Sequence, residues 1–311
     1  MDELIVILGP TASGKTKLAC HLAQLVGGEI ISADSRQVYR RMNIGTGKDL
    51  TEYTINNDLI PYHLIDIRDP GYKYSIWEYQ DDFISAFNDI VSRGKIPILC
   101  GGSGLYIETA LKGNSFTGIE TNTDLRNELA ELTNSEILSR WEEVDESLKE
   151  KLDRNTIQRA IRAIEIDVFM KEHPNWIEPV YPKINYTIFG IDIERERRRE
   201  RITQRLSDRL NTGLIEEVES LVDEGVTYDS LSAYGLEYKW VGDFLQKKIS
   251  KKELFEGLNT AIHQFSKRQM TWFRRMQKQG YHIVWVNESE ALNDKLNHIF
   301  TTIDQKSNNR K

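Results

Sequence analysis

Residues 9–16 read Gly9-Pro10-Thr11-Ala12-Ser13-Gly14-Lys15-Thr16 and match in full the pattern G-x-x-x-x-G-K-[ST] of a phosphate-binding P-loop. The apolar run Leu4-Ile5-Val6-Ile7-Leu8 predicts a buried strand before the loop, and helical spacing of apolar residues over 17–26 predicts a helix after it. In that context the backbone N–H groups form an anion nest at the positive end of the helix dipole. Lys15 adds a positive charge, and the Thr16 hydroxyl can ligate a Mg²⁺ ion shared with phosphate oxygens. We therefore expect a diphosphate- or nucleotide-binding site, with Mg²⁺ as cofactor and Thr16 as its protein ligand.

The composition is that of an ordinary globular protein, with 39% hydrophobic and 29% charged residues. No run is long and apolar enough to span a bilayer, and the acidic start Met1-Asp2-Glu3 does not resemble a signal peptide. Cys20 and Cys100 stand alone, without metal-ligand spacing. The net charge of −7 coexists with basic stretches at 195–209 and 267–278. We expect a cytoplasmic monomer with no membrane partner and with local basic surfaces.

Strand and helix patterns alternate in the first part of the chain, with strands predicted at 29–34, 63–67 and 96–100 and a helix at 76–93. The alternation stops after about residue 118, because 123–172 is helical throughout, and strands return at 186–192 and 282–286. This rhythm predicts an α/β fold built on a doubly wound parallel sheet. The predicted P-loop core comprises residues 1–118 and 186–311 with C-terminal helices, and 119–185 form an inserted all-helical domain.

Polar segments that follow predicted strands should share one crevice with the P-loop. Asp34 is interpreted either as a general base or as a ligand of Mg²⁺-bound water or a helix cap, and its position does not separate these roles. Gly101-Gly102-Ser103-Gly104 either brings substrate close to the backbone, with Ser103 as a donor, or is simple turn chemistry. The segment Gly45-Thr46-Gly47-Lys48 is expected to be a crevice loop.

Arg197, Arg201 and Arg205 recur at four-residue spacing and share one helical face. They form either a solvated face paired with Glu194 and Glu200 or a surface from which one arginine reaches the crevice and neutralises a leaving phosphate.

Two further cationic segments are candidates for nucleic-acid contacts. Arg154, Arg159 and Arg162 line one side of a predicted helix in the insertion. Cations and aromatics interleave over 267–275, which suits phosphates and exposed bases. The alternative is an amphipathic helix that buries Trp272 and Met276, and both interpretations can hold on different faces.

Taken together, these segments resemble the tRNA dimethylallyltransferase family. The resemblance runs nearly end to end and is carried by the P-loop and by the segments Ser32-Ala-Asp-Ser-Arg-Gln-Val-Tyr39, Asn43-Ile-Gly-Thr46, Asp66-Ile-Arg-Asp-Pro70, Gly101-Gly-Ser-Gly-Leu-Tyr106, Gln158-Arg159, Arg162-Ala-Ile-Glu165 and Lys267-Arg-Gln-Met-Thr-Trp272. The resemblance implies transfer of a dimethylallyl group from dimethylallyl diphosphate to N6 of adenosine-37 of tRNA, beside the anticodon. It implies that the P-loop holds the diphosphate and that Asp34 accepts a proton or hydrogen bond from the adenine N6. Lys15, Ser103 and Arg205 would stabilise the departing diphosphate.

The resemblance also implies a set of contacts with the tRNA anticodon stem-loop, to which the basic 267–275 stretch adds two cations. The residues expected to contact tRNA are Asp34, Ser35, Arg36, Gln37, Ser103, Arg126, Gln158, Arg159, Ala160, Ile161, Arg162, Lys267 and Arg268. Three positions depart from the family pattern. Ser103 replaces a threonine, and Asp49 stands where proline is common. Leu236-Glu237-Tyr238-Lys239 replaces the usual Gly-Tyr-Arg or Gly-Tyr-Lys run. The resemblance implies that the 232–237 region contacts tRNA, but this departure leaves open which of its residues do so.

Two other functions use the same residues. A nucleoside or small-metabolite kinase would bind ATP at the P-loop, use Asp34 as a base for a hydroxyl and use the 195–209 arginines as a lid. A non-catalytic RNA-binding module would carry a vestigial P-loop, but the intact Lys15 and Thr16 oppose this.

Overall fold

The chain divides into two compact units in the computed structural model, which describes residues 3–308. The first unit comprises Met1–Gly113 and Lys183–Lys311, and the second comprises Asn114–Pro182. The second unit begins and ends a few residues before the expected insertion at 119–185. Across residues 3–308, no helix combines the length and apolar character needed to cross a membrane.

A parallel sheet lies at the centre of the first unit. The strands are β1 Glu3–Leu8, β2 Glu29–Ala33, β3 Thr54–Ile55, β4 Asp58–Leu59, β5 Tyr62–His63, β6 Pro97–Gly101, β7 Asn185–Asp192 and β8 Ile283–Asn287. In the described part of the chain the sheet has the order β5-β2-β6-β1-β7-β8, and each neighbouring pair is parallel. β1 is buried along its whole length, as expected for a strand covered on both faces. The predicted α/β class with a central parallel sheet is confirmed.

The predicted strand at 63–67 is wrong. β5 ends at His63, because Leu64 and Asp66 adopt left-handed backbone angles, with φ of 62° and 57°, that no strand can contain. The hairpin of β3 and β4 was not predicted. Its turn residues Asn56 and Asn57 have φ of 52° and 69°, the left-handed conformation that a tight hairpin requires and that asparagine tolerates.

Helices surround the sheet and make up the second unit. They are α1 Lys15–Val26, α2 Ile76–Ser92, α3 Gly104–Lys112, α4 Thr123–Ala130, α5 Asn134–Glu142, α6 Glu146–Lys149, α7 Ile157–Glu172, α8 Arg195–Asn211, α9 Leu214–Asp223, α10 Tyr228–Leu231, α11 Leu236–Leu245, α12 Lys251–Lys278 and α13 Leu292–Asn308. α1 starts directly after Gly14, whose φ of 82° is easy only for glycine, and ends at the left-handed Gly27.

The apolar clusters of the first unit include two that bear on the site. One joins β1, β2 and β6 to α1 and α13, with Leu22 and Ile299 fully buried. The other joins α8, α9, α11 and the first half of α12 through Leu206, Tyr238 and Leu258. Burial of such side chains contributes roughly 1.5–3 kcal/mol each. The second cluster fixes α8 and α12, which supply side chains to the cavity described below.

The second unit is all helical within its described residues. α4, α5, α6 and α7 enclose a core that includes Leu129, Trp141 and Ile164. Each helix begins at a side chain that accepts a backbone N–H, for example Thr133 at α5 and Thr156 at α7. The capping and the apolar core explain why this segment folds as a separate helical unit.

Candidate active site

A cavity of about 620 Å³ lies where neighbouring strands of the sheet end. The P-loop follows β1, Asp34 follows β2 and Gly102 follows β6, and residues from all three segments line the cavity. Since β2, β6 and β1 are adjacent in the sheet, their carboxyl ends bring these segments together. The crevice expected from the sequence is therefore present, and its lining belongs to the first unit.

The P-loop lies at the N-terminus of α1 with Thr11, Ala12, Gly14, Lys15 and Thr16 facing the cavity. Burial is the main cause that lowers the pKa of Lys15, with Arg205 acting in the same direction. Burial destabilises the ammonium charge of this lysine, and a neighbouring anion stabilises it again. An anion in the loop therefore interacts favourably with Lys15. The loop is therefore a pre-formed site for a phosphate group.

A magnesium ion fits this site only as a companion of the phosphate. Thr16 lines the cavity, whereas the described residues contain no group of three or more His, Cys, Asp or Glu side chains arranged to hold a metal. Mg²⁺ bound through one protein hydroxyl, phosphate oxygens and water matches the coordination that this ion prefers. Thr16 remains the predicted protein ligand.

Gln269 on α12 ties the P-loop to the end of β6, and sequence reasoning missed it. The Thr11 N–H donates to Gln269 Oε1 at 2.9 Å, while Gln269 Nε2 donates to the Gly102 carbonyl at 2.9 Å. A Cβ on Gly102 would lie 2.4 Å from that Nε2, so a larger residue there would displace the Gln269 amide. The available signal was a polar side chain on the buried face that also carries Phe273 and Met276.

Asp34 brings a carboxylate into the cavity and also makes a local turn contact. The Arg36 N–H donates to Asp34 Oδ1 at 2.8 Å, which resembles the capping role considered from the sequence. Burial is the largest influence and raises the pKa of Asp34, although Lys15 and the backbone N–H groups of Arg36 and Gln37 oppose it. A carboxylate with a raised pKa is a better proton acceptor than an exposed one, as a general base requires.

Gly45, Thr46 and Gly47 of the loop at 43–48 line the cavity, as expected for the segment 45–48, whereas Lys48 does not line it. Glu217 on α9 accepts the backbone N–H groups of Asn43 and Ile44 at 2.7 Å each and of Gly45 at 3.0 Å. Lys48 points away from the cavity and is fully buried, with Nζ 2.9 Å from Asn43 Oδ1. Gln37 Nε2 donates to the Gly47 carbonyl at 3.2 Å. The loop is therefore held in place from both sides.

The three arginines predicted to share one face of α8 contact two different acids. Arg197 Nε lies 2.8 Å from Glu288, which Arg201 also contacts, so the expected pairing of these residues with Glu194 and Glu200 is wrong. Arg205 contacts Asp49 and lies 3.5 Å from Thr11 Oγ1, at the P-loop. The spacing predicted one shared face, but the ion pairs depend on the acids that segments before and after α8 bring to each turn.

Arg209, one turn further, was not singled out from the sequence. Its guanidinium is 3.4 Å from Asp49 and 3.8 Å from Glu237, and all three residues line the cavity. Arg205 and Arg209 thus form a cationic pair opposite the start of α1.

Ser103 precedes α3 and faces the cavity, where its side chain makes no cap bond to α3. Ser35, Arg36, Gln37 and Arg268 also line this space. Lys267 is exposed on α12. These positions are consistent with the predicted roles, which stay predictions.

The remaining residues expected to contact tRNA belong to the second unit. Gln158 and Arg159 are exposed, but Ala160 is fully buried, so a direct contact of Ala160 with tRNA does not agree with the structure. Ile161 is partly buried against the core of this unit. Ala160 lies on the inner face of α7, and its role there is packing.

Arg126 and Arg162 of the second unit both pair with the buried Glu165. Arg126 Nε lies 2.7 Å from Glu165 Oε1, and Arg162 lies 3.4 Å from Oε2. Arg162 also donates to the Ile119 carbonyl at 2.6 Å. Both arginines therefore stabilise the helical unit, whatever else they contact.

A P-loop, a carboxylate at the next strand end and a cationic helix around one cavity define an enzyme site of the P-loop class. A family model described as IPP transferase matches residues 37–276, and one described as isopentenyl transferase matches residues 2–57. The chain is 51% identical over 300 residues to tRNA dimethylallyltransferase 2 of Bacteroides fragilis, with 96% of each chain covered. It is 48% identical to tRNA dimethylallyltransferase 2 of Phocaeicola vulgatus, covering 98% of this chain and 99% of the relative.

A solved structure, the full-length tRNA isopentenylpyrophosphate transferase of Bacillus halodurans, is also similar. Its TM-score is 0.72 at 31% identity, over 98% of this chain and 97% of that one. The chain therefore belongs to the IPP transferase family, the tRNA dimethylallyl- and isopentenyltransferases, and it is a prenyltransferase. The resemblance predicted from the sequence is confirmed, and the kinase alternative is not favoured.

Proposed function

We propose that this tRNA prenyltransferase transfers the dimethylallyl group of dimethylallyl diphosphate to N6 of adenosine-37, beside the anticodon, and releases diphosphate. The observation that carries the proposal is the single cavity shared by the P-loop and Asp34, at the ends of β1 and β2. One side of this cavity suits a diphosphate, and the other offers a proton acceptor to the incoming amine.

The reaction breaks the bond between C1 of the prenyl group and the diphosphate oxygen, and forms a bond between C1 and N6. The N6 lone pair is delocalised into the purine ring, so the amine is a poor nucleophile and a base assists it. Asp34 accepts the proton or hydrogen bond of N6, and its raised pKa matches that role. The adenine must leave its stack to reach the cavity, as in other enzymes that modify a base.

Negative charge grows on the diphosphate as the C–O bond breaks. Lys15 and the Arg205–Arg209 pair lie at the P-loop side of the cavity, where they stabilise that charge, and Ser103 can donate a hydrogen bond. Mg²⁺, held by Thr16 and the phosphate oxygens, would add charge neutralisation when bound. The P-loop thus serves a diphosphate donor, and ATP is not consumed.

Exposed cations are the proposed grip on the anticodon stem-loop, Lys267 and Arg268 in the first unit and Arg159 in the second. The active form of this proposal is a monomer. A tRNA substrate supports a cytoplasmic location.

The test is nucleoside mass spectrometry of unmodified tRNA incubated with the protein, Mg²⁺ and dimethylallyl diphosphate. N6-dimethylallyladenosine should form at position 37 without ATP, and Lys15→Ala should abolish its formation. Conversion of ATP to ADP with no prenylated nucleoside would contradict the proposal and restore the kinase alternative. A sedimentation measurement under the same conditions tests the monomer.

A further inference from the structure

Asp49 places a negative charge inside a cavity whose purpose is to bind an anion. It follows the loop at 43–48, precedes the 3₁₀ turn Leu50–Tyr53, and lines the same space as the P-loop. Its backbone is left-handed, with φ 48° and ψ 48°, a conformation that aspartate and asparagine tolerate better than most residues. An acid at such a position needs an explanation, because it opposes the binding of a diphosphate.

The two carboxylate oxygens of Asp49 contact two different arginines. Oδ2 contacts Arg205, and Oδ1 lies 3.4 Å from Arg209. Two adjacent guanidinium groups repel each other, and Arg205 is largely withdrawn from water, which lowers its pKa. Asp49 offsets this repulsion by contacting both guanidinium groups, and Arg205 lies 3.5 Å from Thr11 Oγ1.

The same two arginines are the cations on which the proposed function relies for the leaving diphosphate. A diphosphate at the P-loop and Asp49 therefore compete for one pair of guanidinium groups. The anion carries several charges and the carboxylate only one, so the anion wins when it is present. The competition nevertheless weakens its binding, since like charges a few ångströms apart repel.

We propose that Asp49 is an electrostatic placeholder, which positions Arg205 and Arg209 in the empty cavity, yields them to the substrate diphosphate and then promotes release of the product diphosphate. Asp49 is a positioning residue that acts through the two arginines. This inference rests on the proposed function, because it requires the diphosphate to occupy the P-loop side of the cavity.

The experiment measures the affinity for inorganic pyrophosphate by calorimetry, in Mg²⁺, for the full chain. Asp49→Asn keeps the size and the left-handed backbone but removes the charge. It should tighten pyrophosphate binding by about tenfold or more, as removal of one nearby like charge predicts. Product inhibition by pyrophosphate should strengthen in parallel, a change that a merely structural role would not cause.

Asp69→Asn is the matched control, because Asp69 is an exposed acid that pairs with Arg40 at 3.2 Å and does not line the cavity. It should leave pyrophosphate affinity unchanged. Unchanged or weaker binding in Asp49→Asn would overturn the placeholder role while the proposed function stands. Absence of binding to the unaltered protein, or binding that Lys15→Ala does not reduce, would overturn both.

Discussion

A hydrogen bond and burial have opposite effects on the pKa of Asp34. The Arg36 N–H, 2.8 Å from Oδ1, favours the carboxylate, whereas burial favours the neutral acid and is the larger influence. Its pKa is consequently raised above the model-peptide value of 3.8. The group remains a carboxylate at neutral pH only if its pKa stays below that pH, and it is then a stronger base than an exposed aspartate.

Asp34→Asn should lower turnover by roughly two to four orders of magnitude and leave tRNA affinity nearly intact, since the amide cannot accept the proton. The base must be deprotonated, so kcat/KM should rise with pH through the raised pKa of Asp34. That acidic limb should be missing in the variant. Rate profiles from about pH 4.5, near the ordinary carboxyl pKa, to about pH 8 check both statements. Near-normal turnover would remove Asp34 from the chemistry.

Gln269 makes a different kind of contribution, because it fixes backbone and touches no reacting atom. Gln269→Leu should leave the Thr11 N–H and the Gly102 carbonyl without their side-chain partner. We expect unfolding free energy to fall by about 1–3 kcal/mol and the KM for dimethylallyl diphosphate to rise. Urea unfolding and steady-state kinetics measure the two effects. Gln277→Leu, at an exposed position on the same helix, is the control and should change neither quantity.

At the scale of the element, α8 is one helix with two tasks. Two of its arginines, Arg197 and Arg201, hold Glu288, an 8% exposed acid that directly follows β8. Arg201, Arg205 and Arg209 line the cavity. The division follows from a four-residue spacing that advances about one turn at each step. The helix therefore couples the sheet edge to the diphosphate side of the cavity.

Arg205→Ala should lower kcat by about tenfold to a thousandfold and affect tRNA affinity less, because the charge that it meets develops as diphosphate leaves. Arg197→Ala should instead lower the melting temperature, since it removes one of two partners of a buried carboxylate, and should preserve kcat. Single-turnover rates and thermal unfolding separate the two variants. Equal, small effects of both on the rate would return α8 to the role of a solvated face.

Strong local patterns predicted the elements that carry the P-loop and Asp34. β1 and α1 were evident because a buried apolar strand, a glycine loop and a helical apolar stripe follow one another without interruption. The prediction of a strand at 63–67 was wrong because the apolar pattern there does not reflect the backbone conformation, in which Leu64 is left-handed. α13 was not predicted, because buried apolar residues such as Leu296 and Ile299 are too few in this polar stretch to give a clear helical pattern.

The site was predicted best where one residue type has one chemistry. Lys15 and Thr16 follow from the motif. Spacing indicated that one arginine of α8 reaches the crevice, and the family resemblance named Arg205, but neither predicted its partner Asp49. Asp49 and Gln269 could not be assigned, because their roles depend on contacts with residues more than 150 positions away in the sequence. Such pairings are decided by tertiary packing, which no local pattern encodes.

At the scale of the whole molecule, acid sensitivity has an identifiable source in the first unit. Glu29 begins β2 with 5% exposure, and Arg93 NH2 and His63 Nε2 lie 2.8 Å and 2.7 Å from Oε2. Hydrogen bonding from Arg93, more than any other influence, holds the pKa of Glu29 at about 2, below its ordinary 4.5. A depressed pKa stabilises the fold above the unfolded-state value, and this stability is lost as the pH falls toward 2.

Glu29→Gln should therefore lower the free energy of unfolding by about 1–3 kcal/mol at neutral pH. The difference from the unaltered protein should shrink as the pH falls from 4.5 toward 2. Urea unfolding at about pH 7, 4.5 and 3, which covers much of the titration of Glu29, measures this difference in unfolding free energy. Glu219→Gln, at an exposed position, is the control. A pH-independent difference would show that the pair contributes packing and not charge.

Binding of a polyanion by a chain of net charge −7 requires that a few cations act locally. Lys267 and Arg268 are exposed on α12, and Arg268 lies beside Phe265 and lines the cavity. Arg162 differs, because Glu165 and the carbonyls of Phe116 and Ile119 already occupy its guanidinium. We therefore expect substitution of the exposed Lys267 or Arg268 to affect tRNA binding, and substitution of the already paired Arg162 to affect stability.

Lys267→Ala and Arg268→Ala should each weaken tRNA binding. Each variant loses one phosphate contact and the counterion release that accompanies it, so the log–log slope of affinity against salt should fall by about 0.7–0.9. Affinity for pyrophosphate should not change in Lys267→Ala. Arg162→Ala should leave the slope unchanged and lower the melting temperature, because it leaves Glu165 with one partner fewer in a buried position. Filter binding at several salt concentrations, with thermal unfolding of each variant, distinguishes the groups. If Lys267→Ala and Arg268→Ala keep the full slope and instead melt early, the cations of α12 serve the fold, and the grip on tRNA must be sought in the second unit at Arg159.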